Sequence, residues 1–148
     1  MSVAAIIAAA GVGRRMQTDI AKQYLPLAGK PVLVHTLEAF EATPEIREVA
    51  IIVHSEELDY CQEEVIARYR LKKVFRLIPG GKERQDSVYQ GLKTLCQDDG
   101  FEIMVVHDGV RPFITPGQIR QVIQAARRHG AAILGLLAQD TLKKVNAK

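Results

Sequence analysis

The chain has 148 residues, 47% of them hydrophobic and 25% charged, the composition of one globular domain with a buried core, expected here over residues 1–148. A formal charge of +3, with basic and acidic residues interleaved, excludes a nucleic-acid footprint or a polybasic membrane patch and still favours a small anionic ligand. Cys61 and Cys96 stand far apart and in no CxxC pair, so they read as reduced thiols in helical segments.

The first predicted element is an apolar strand at residues 3–10. It is too short to span a bilayer and lacks the flanks of a secretory signal, so a cytoplasmic protein is expected. Helical spacing follows at Leu33, Leu37 and Phe40. A second strand is predicted at 48–53, then a helix through Leu58, Cys61, Val65 and Tyr69. A third strand at 74–78 leads to a helix carrying Val88, Leu92 and Leu95. A fourth at 103–106 precedes a helix with Ile119, Val122, Ile123 and Ala126, and residues 131–137 are a candidate fifth strand. Apolar runs without polar alternation suit strands buried on both faces. Strand and helix alternate throughout, which predicts a doubly wound, mostly parallel α/β sheet with helices on both faces. The chain stops shortly after the fifth candidate, with nothing left to cover that edge. A partner that ties the segment down, or a truncated protein, is expected.

Sheets of this kind bind ligands beyond the carboxyl ends of their strands. Three such ends are distinctive, and all would face one cleft. The first strand runs into Gly11 and Gly13, which let backbone approach a phosphate, and then into Arg15 and, further on, Lys22. Cations there suit a nucleotidyl transfer, because charge shifts among the α-phosphate oxygens as pyrophosphate leaves. The alternative is an ordinary turn with solvated charges. The third strand meets Gly80 and Gly81, where backbone can contact a flat base and Ser87 can add a hydrogen bond; alternatively the glycines only turn and Asp86 or Ser87 caps a helix. The fourth strand ends at Asp108, a natural ligand for the Mg²⁺ of a triphosphate or, alternatively or in addition, the salt-bridge partner of Arg111. His107 reads as structural, and His35, His54 and His129 are too scattered to suggest zinc.

The runs AAGVGRRM at 9–16, KQYLPLAGKPVLVHTLEAF at 22–40, GGKERQDSV at 80–88, HDGVRPF at 107–113 and DTLKKV at 140–145 together resemble the 2-C-methyl-D-erythritol 4-phosphate cytidylyltransferases of the non-mevalonate isoprenoid pathway. The resemblance covers essentially the whole chain. It implies a Rossmann-like nucleotidyltransferase fold and transfer of CMP from CTP to a sugar-alcohol phosphate, with Mg²⁺ or another divalent cation. The acceptor phosphate would attack the α-phosphorus in line, without a covalent enzyme intermediate. Arg15 and Lys22 match the residues that stabilise the transition state. Ala9, Ala10, Gly11, Gly81, Lys82 and Ser87 match positions that hold CTP. Asp108, Gly109 and Arg111 match the loop near ribose, metal and acceptor phosphate, and Thr141 matches a threonine that reaches the acceptor from the neighbouring subunit of a homodimer.

Ala8 and Ala21 replace prolines common in the family, and residues 109–110, Gly-Val, replace Ala-Ala. These changes should alter loop stiffness more than chemistry. Family members continue past DTLKKV into a dimerising arm and a segment that closes the sheet. The expectation is therefore a chain that binds CTP weakly and transfers CMP poorly. Ribitol 5-phosphate cytidylyltransferase, a sugar-1-phosphate nucleotidylyltransferase and a non-catalytic nucleotide-binding fragment are the competing readings. A dinucleotide dehydrogenase fits less well, because GVGRRM lacks the third glycine and residue 38 falls inside a predicted helix. A Walker-type NTPase lacks its Gly-Lys-Ser/Thr.

Overall fold

A computed structural model of the chain describes residues 2–11, 20–97 and 100–137. The first strand, β1 (Ser2–Ala8), is buried on both faces from Val3 to Ile7. It pairs in parallel with β4 (Ile46–Val53) on one side and with β6 (Phe101–Asp108) on the other, and β5 (Val74–Pro79) adds in parallel beyond β4. The spatial order is β5-β4-β1-β6. The chain thus steps outward to β5, then returns across β1 to lay down β6. That reversal opens a crevice between the tips of β1 and β6, because the connections on either side leave in opposite directions.

Parallel pairing requires a crossover between successive strands, and helices supply it. Among the described residues between β1 and β4 run a 3₁₀ turn (Lys22–Tyr24), a short antiparallel hairpin of β2 (Pro26–Leu27) and β3 (Lys30–Pro31), and α1 (Val32–Glu41). The hairpin turns through Ala28 and Gly29, both at positive φ. From β4 the chain enters a 3₁₀ turn (Ser55–Glu57), one turn of α2 (Leu58–Tyr60) and a π-helical stretch (Cys61–Ala67). α3 (Arg84–Leu95) links β5 to β6, and α4 (Pro116–His129) follows β6.

Alternation along β1 assigns its side chains to two layers. Val3, Ala5 and Ile7 pack with Leu37 and Phe40 of α1, Cys61 and Val65 of the π-helical stretch, and Ile119 and Ile123 of α4. Ala4 and Ile6 pack on the other face with Ala50, Ile52, Ile78 and Leu95 of α3. Helices therefore cover both faces, as the alternating sequence pattern predicts. His107 packs its ring on Phe40 at 5.4 Å, which fits the structural role read for it. Cys61 is buried, Cys96 lies exposed at the end of α3, and both are free thiols.

The candidate strand at 131–137 does not form. Gly130, at φ 85, ends α4, and residues 131–137 carry no regular structure. Ile133, Leu136 and Leu137 are each more than nine-tenths exposed. The apolar content of the run suggested a strand, but a strand exists only through ladder partners. Residues 131–134 line a groove of about 360 Å³ together with Met104 and Val106 of β6, so they flank that edge without pairing to it.

Candidate functional site

Three strand tips meet at the carboxyl edge of the sheet, and backbone hydrogen bonds fix their heights. The Ala9 N–H donates to the Ile52 carbonyl at 2.7 Å, the Gly80 N–H to the Val53 carbonyl at 2.8 Å and the Gly109 N–H to the Ala8 carbonyl at 2.8 Å. Small residues allow this stacking. A Cβ on Gly80 would lie 2.4 Å from the Ala10 Cβ, and one on Gly109 would lie 3.0 Å from the Ala9 Cβ. The buried Thr36 hydroxyl on α1 donates to the Gly109 carbonyl at 2.9 Å and fixes the far side of that peptide. The floor of the crevice is thus backbone and methyl groups, and Gly11 stands exposed at its lip.

At the second tip, the Ser87 hydroxyl is buried, accepts from the Gly81 N–H at 3.1 Å and donates to the Glu83 carbonyl at 3.1 Å. The Asp86 carboxylate accepts from the Glu83 N–H, closing a capping box at the start of α3. Ser87 therefore holds the Gly80–Gly81 loop in shape, and the turn-and-cap alternative describes its hydrogen bonds in this state. Lys82 projects from that loop into solvent.

At the third tip, Asp108 is engaged by two guanidinium groups. Arg84, the first residue of α3, donates to its Oδ1 from Nη2 at 2.7 Å and from Nε at 3.1 Å, and Arg111 Nε lies 2.8 Å from its Oδ2. Burial pushes the Asp108 carboxyl up, but the hydrogen bond and charge of Arg84, then the charges of Arg111 and His107, outweigh it and hold the group below the ordinary carboxylate range. His107 moves the other way: burial disfavours its cation, Asp108 opposes that only in part, and Arg111 adds to the depression. The ion pair between Asp108 and Arg111, read from the sequence as an alternative or an addition to metal binding, is present. Arg84 is the residue the motif reading passed over, although it stands in the quoted GGKERQDSV run at the first turn of a helix beside the crevice.

The donor set tests the magnesium expectation. No cluster of three or more His, Cys, Asp or Glu side chains exists among the described residues. Asp108 is one carboxylate flanked by two cations, which disfavours an isolated dication. It fits a metal that arrives on a triphosphate, whose charge offsets the arginines, since Mg²⁺ takes one or two protein carboxylates and keeps waters and phosphates for the rest.

Lys22 opens the 3₁₀ turn and is exposed. The next two residues, Gln23 and Tyr24, are buried and both donate to Glu57 Oε2, at 3.0 and 3.1 Å. Glu57 lies four residues past the end of β4, so the turn is held at the carboxyl edge, beside the tip next to β1. Gly13, Arg15 and Thr141 lie outside the described residues. Ala9, Ala10, Gly81, Ser87, Asp108, Gly109 and Arg111 all lie at or just beyond the carboxyl ends of β1, β5 and β6, as do Gly11 and Lys82.

A sheet that reverses its strand order and leaves a backbone-floored crevice at the reversal defines a Rossmann-like α/β domain. The profile of the 2-C-methyl-D-erythritol 4-phosphate cytidylyltransferase family matches residues 3–148. A relative of that name from Pelotomaculum thermopropionicum is 50% identical over 141 residues, covering 95% of this chain and 58% of the relative. Another from Geotalea uraniireducens is 42% identical over 147 residues, covering 99% of this chain and 63% of the relative. The crystal structure of 4-diphosphocytidyl-2C-methyl-D-erythritol synthase from Anaerococcus prevotii superposes with a TM-score of 0.84 at 31% identity, covering 98% of this chain and 59% of that one. The chain belongs to the 2-C-methyl-D-erythritol 4-phosphate cytidylyltransferase family. It spans about three fifths of the length of the relatives it matches.

Proposed function

We propose that this chain carries the nucleotide-binding part of an enzyme that transfers CMP from CTP to 2-C-methyl-D-erythritol 4-phosphate and releases pyrophosphate. The carrying observation is the stacking of Gly80 and Gly109 against Ala9 and Ala10, which leaves a floor of backbone and methyl groups where a base and ribose can lie close to backbone. In this reading Ala9, Ala10, Gly11, Gly13, Gly81, Lys82, Ser87 and Gly109 hold the nucleotide. Asp108 and Arg111 serve the ribose and acceptor side. Arg15 and Lys22 bring positive charge to the α-phosphate, where it stabilises the charge that develops during in-line attack. Asp108 is the residue that would meet a divalent cation, and that cation, when bound, neutralises phosphate charge. The chain's own contribution is to position and to supply fixed cations, as suits phosphoryl chemistry.

The same reading makes the complete protein a cytoplasmic homodimer in which Thr141 reaches the partner's acceptor site, with no nucleic-acid or membrane partner. No helix among the described residues is long and apolar enough to cross a membrane. Titration with CTP, UTP, GTP and ATP tests the nucleotide: CTP should bind best, and equal binding of all four would sink the cytidine assignment. Pyrophosphate release with 2-C-methyl-D-erythritol 4-phosphate and with ribitol 5-phosphate, run on this chain and on a version extended to the relatives' length, tests the acceptor. The extended version should turn over the first acceptor and leave the second nearly untouched. This chain alone should turn over poorly.

A further inference from the structure

The 3₁₀ turn that carries Lys22 is too short to hold itself. It has two backbone bonds of its own, from the Tyr24 N–H to the Ala21 carbonyl at 2.9 Å and from the Leu25 N–H to the Lys22 carbonyl at 3.3 Å, and isolated 3₁₀ turns are weak. What fixes it is side-chain chemistry at its second and third residues. Gln23 is 1% and Tyr24 8% exposed, so each buries a polar group that requires a partner. Both find the same atom, Glu57 Oε2. The Tyr24 ring also meets Tyr60 edge-on at 4.9 Å, three residues further along the same helical segment. Burial, then the neighbouring Cys61 and Glu57, push the Tyr24 phenol well up, so it stays a donor. Burial likewise pushes the Cys61 thiol up to about 12, so it stays protonated and offers the Tyr24 hydroxyl only a weak second hydrogen bond.

We propose that Glu57 is a positioning residue for Lys22: its carboxylate bolts the Lys22–Tyr24 turn to the helical segment after β4 and so presents the lysine at the carboxyl edge of the sheet. The inference rests on the reading of Lys22 as a cation for the α-phosphate. Glu57 touches no ligand in this account and acts only through Gln23 and Tyr24. Its loss would strand the buried Gln23 amide and leave the Tyr24 hydroxyl only the weak acceptor Cys61, and the turn would relax towards water to satisfy them. Lys22 would then reach the phosphate only at the cost of reordering the turn.

The test compares CTP with cytidine, which lacks every phosphate, by titration against the chain and its variants. Glu57→Ala should weaken CTP about tenfold, the factor that corresponds to one lost charge-assisted hydrogen bond or its equivalent in ordering, and should leave cytidine unchanged. Lys22→Ala should lose CTP affinity in the same way. The double variant should lose no more than Lys22→Ala alone, since Glu57 acts through that lysine. Glu57→Gln keeps an oxygen in place and should recover most of the affinity. If Glu57→Ala fails to fold, Tyr24→Phe removes one of the two bonds while keeping the ring contacts, and should give a smaller loss confined to CTP. Parallel loss of CTP and cytidine, unchanged CTP binding, or additive losses in the double variant would overturn the positioning role while leaving the nucleotide reading intact. A parent chain that binds no CTP would instead remove the reading of Lys22 itself, and this inference with it.

Discussion

Ala9, Ala10, Gly80 and Gly109 carry almost no side chain where the strand tips meet, and their tolerance of added atoms should differ in degree. A methyl on Gly80 would stand 2.4 Å from the Ala10 Cβ, which cannot rotate away. Gly80→Ala should therefore cost about 1–3 kcal/mol in chemical denaturation through overpacking. A methyl on Gly109 would stand 2.9 Å from Leu33 Cδ1, which can shift, and 3.0 Å from the Ala9 Cβ, which cannot rotate away. Gly109→Ala should therefore also destabilise in the same measurement, by less than Gly80→Ala.

Asp108 offers a second expectation at this scale. Its carboxyl titrates below the ordinary value in the folded chain, so its contribution to stability is complete above the unfolded value and disappears as pH falls through the lower folded one. Arg84→Ala removes the larger of the two cationic influences. Because Arg84 is 64% exposed and solvent screens it, the loss near neutral pH should be at most about 1 kcal/mol. The two proteins should converge as pH falls through the lowered folded value, once the carboxyl is protonated in both states. Denaturation midpoints followed from neutral to acid pH check this. A constant gap would mean that Arg84 contributes through packing alone.

Among the elements, the hairpin of β2 and β3 stores some backbone strain. Ala28 sits at φ 48 with no compensating cap, next to Gly29 at φ 81. Two positive φ values in succession suit a turn whose twist matches the flanking strands, and glycine or asparagine takes them more readily than alanine. Ala28→Gly should raise the melting temperature by the equivalent of roughly 0.5–1 kcal/mol, because relief of strain exceeds the added freedom of the unfolded chain. The central strands β1 and β4 were legible because burial on both faces leaves an unbroken apolar run, as at residues 3–7, whereas β5 and β6 were legible from their apolar content although the structure leaves them only partly buried. The run at 131–137 looked the same on the page, but a strand is a relation between two segments, and composition reports only one of them. Glycine tips and Asp108 were legible for the converse reason: their chemistry is local. Arg84 and Glu57 were not, since each acts on a residue many positions away, and no spacing within the chain announces that contact.

For the molecule as a whole, the crevice is assembled from residues near positions 10, 80 and 109, brought together by a sheet whose last described strand pairs with its first. No contiguous stretch of the chain holds more than one wall of it. During synthesis the glycine turns after β1 and β5 emerge early, yet the rim remains open until β6 has docked against β1 and set Asp108 beside Arg84. Ligand affinity should thus appear late and abruptly, once a nascent chain has released residue 111. Until then, a nucleotide has nothing to recognise and no means of steering the fold.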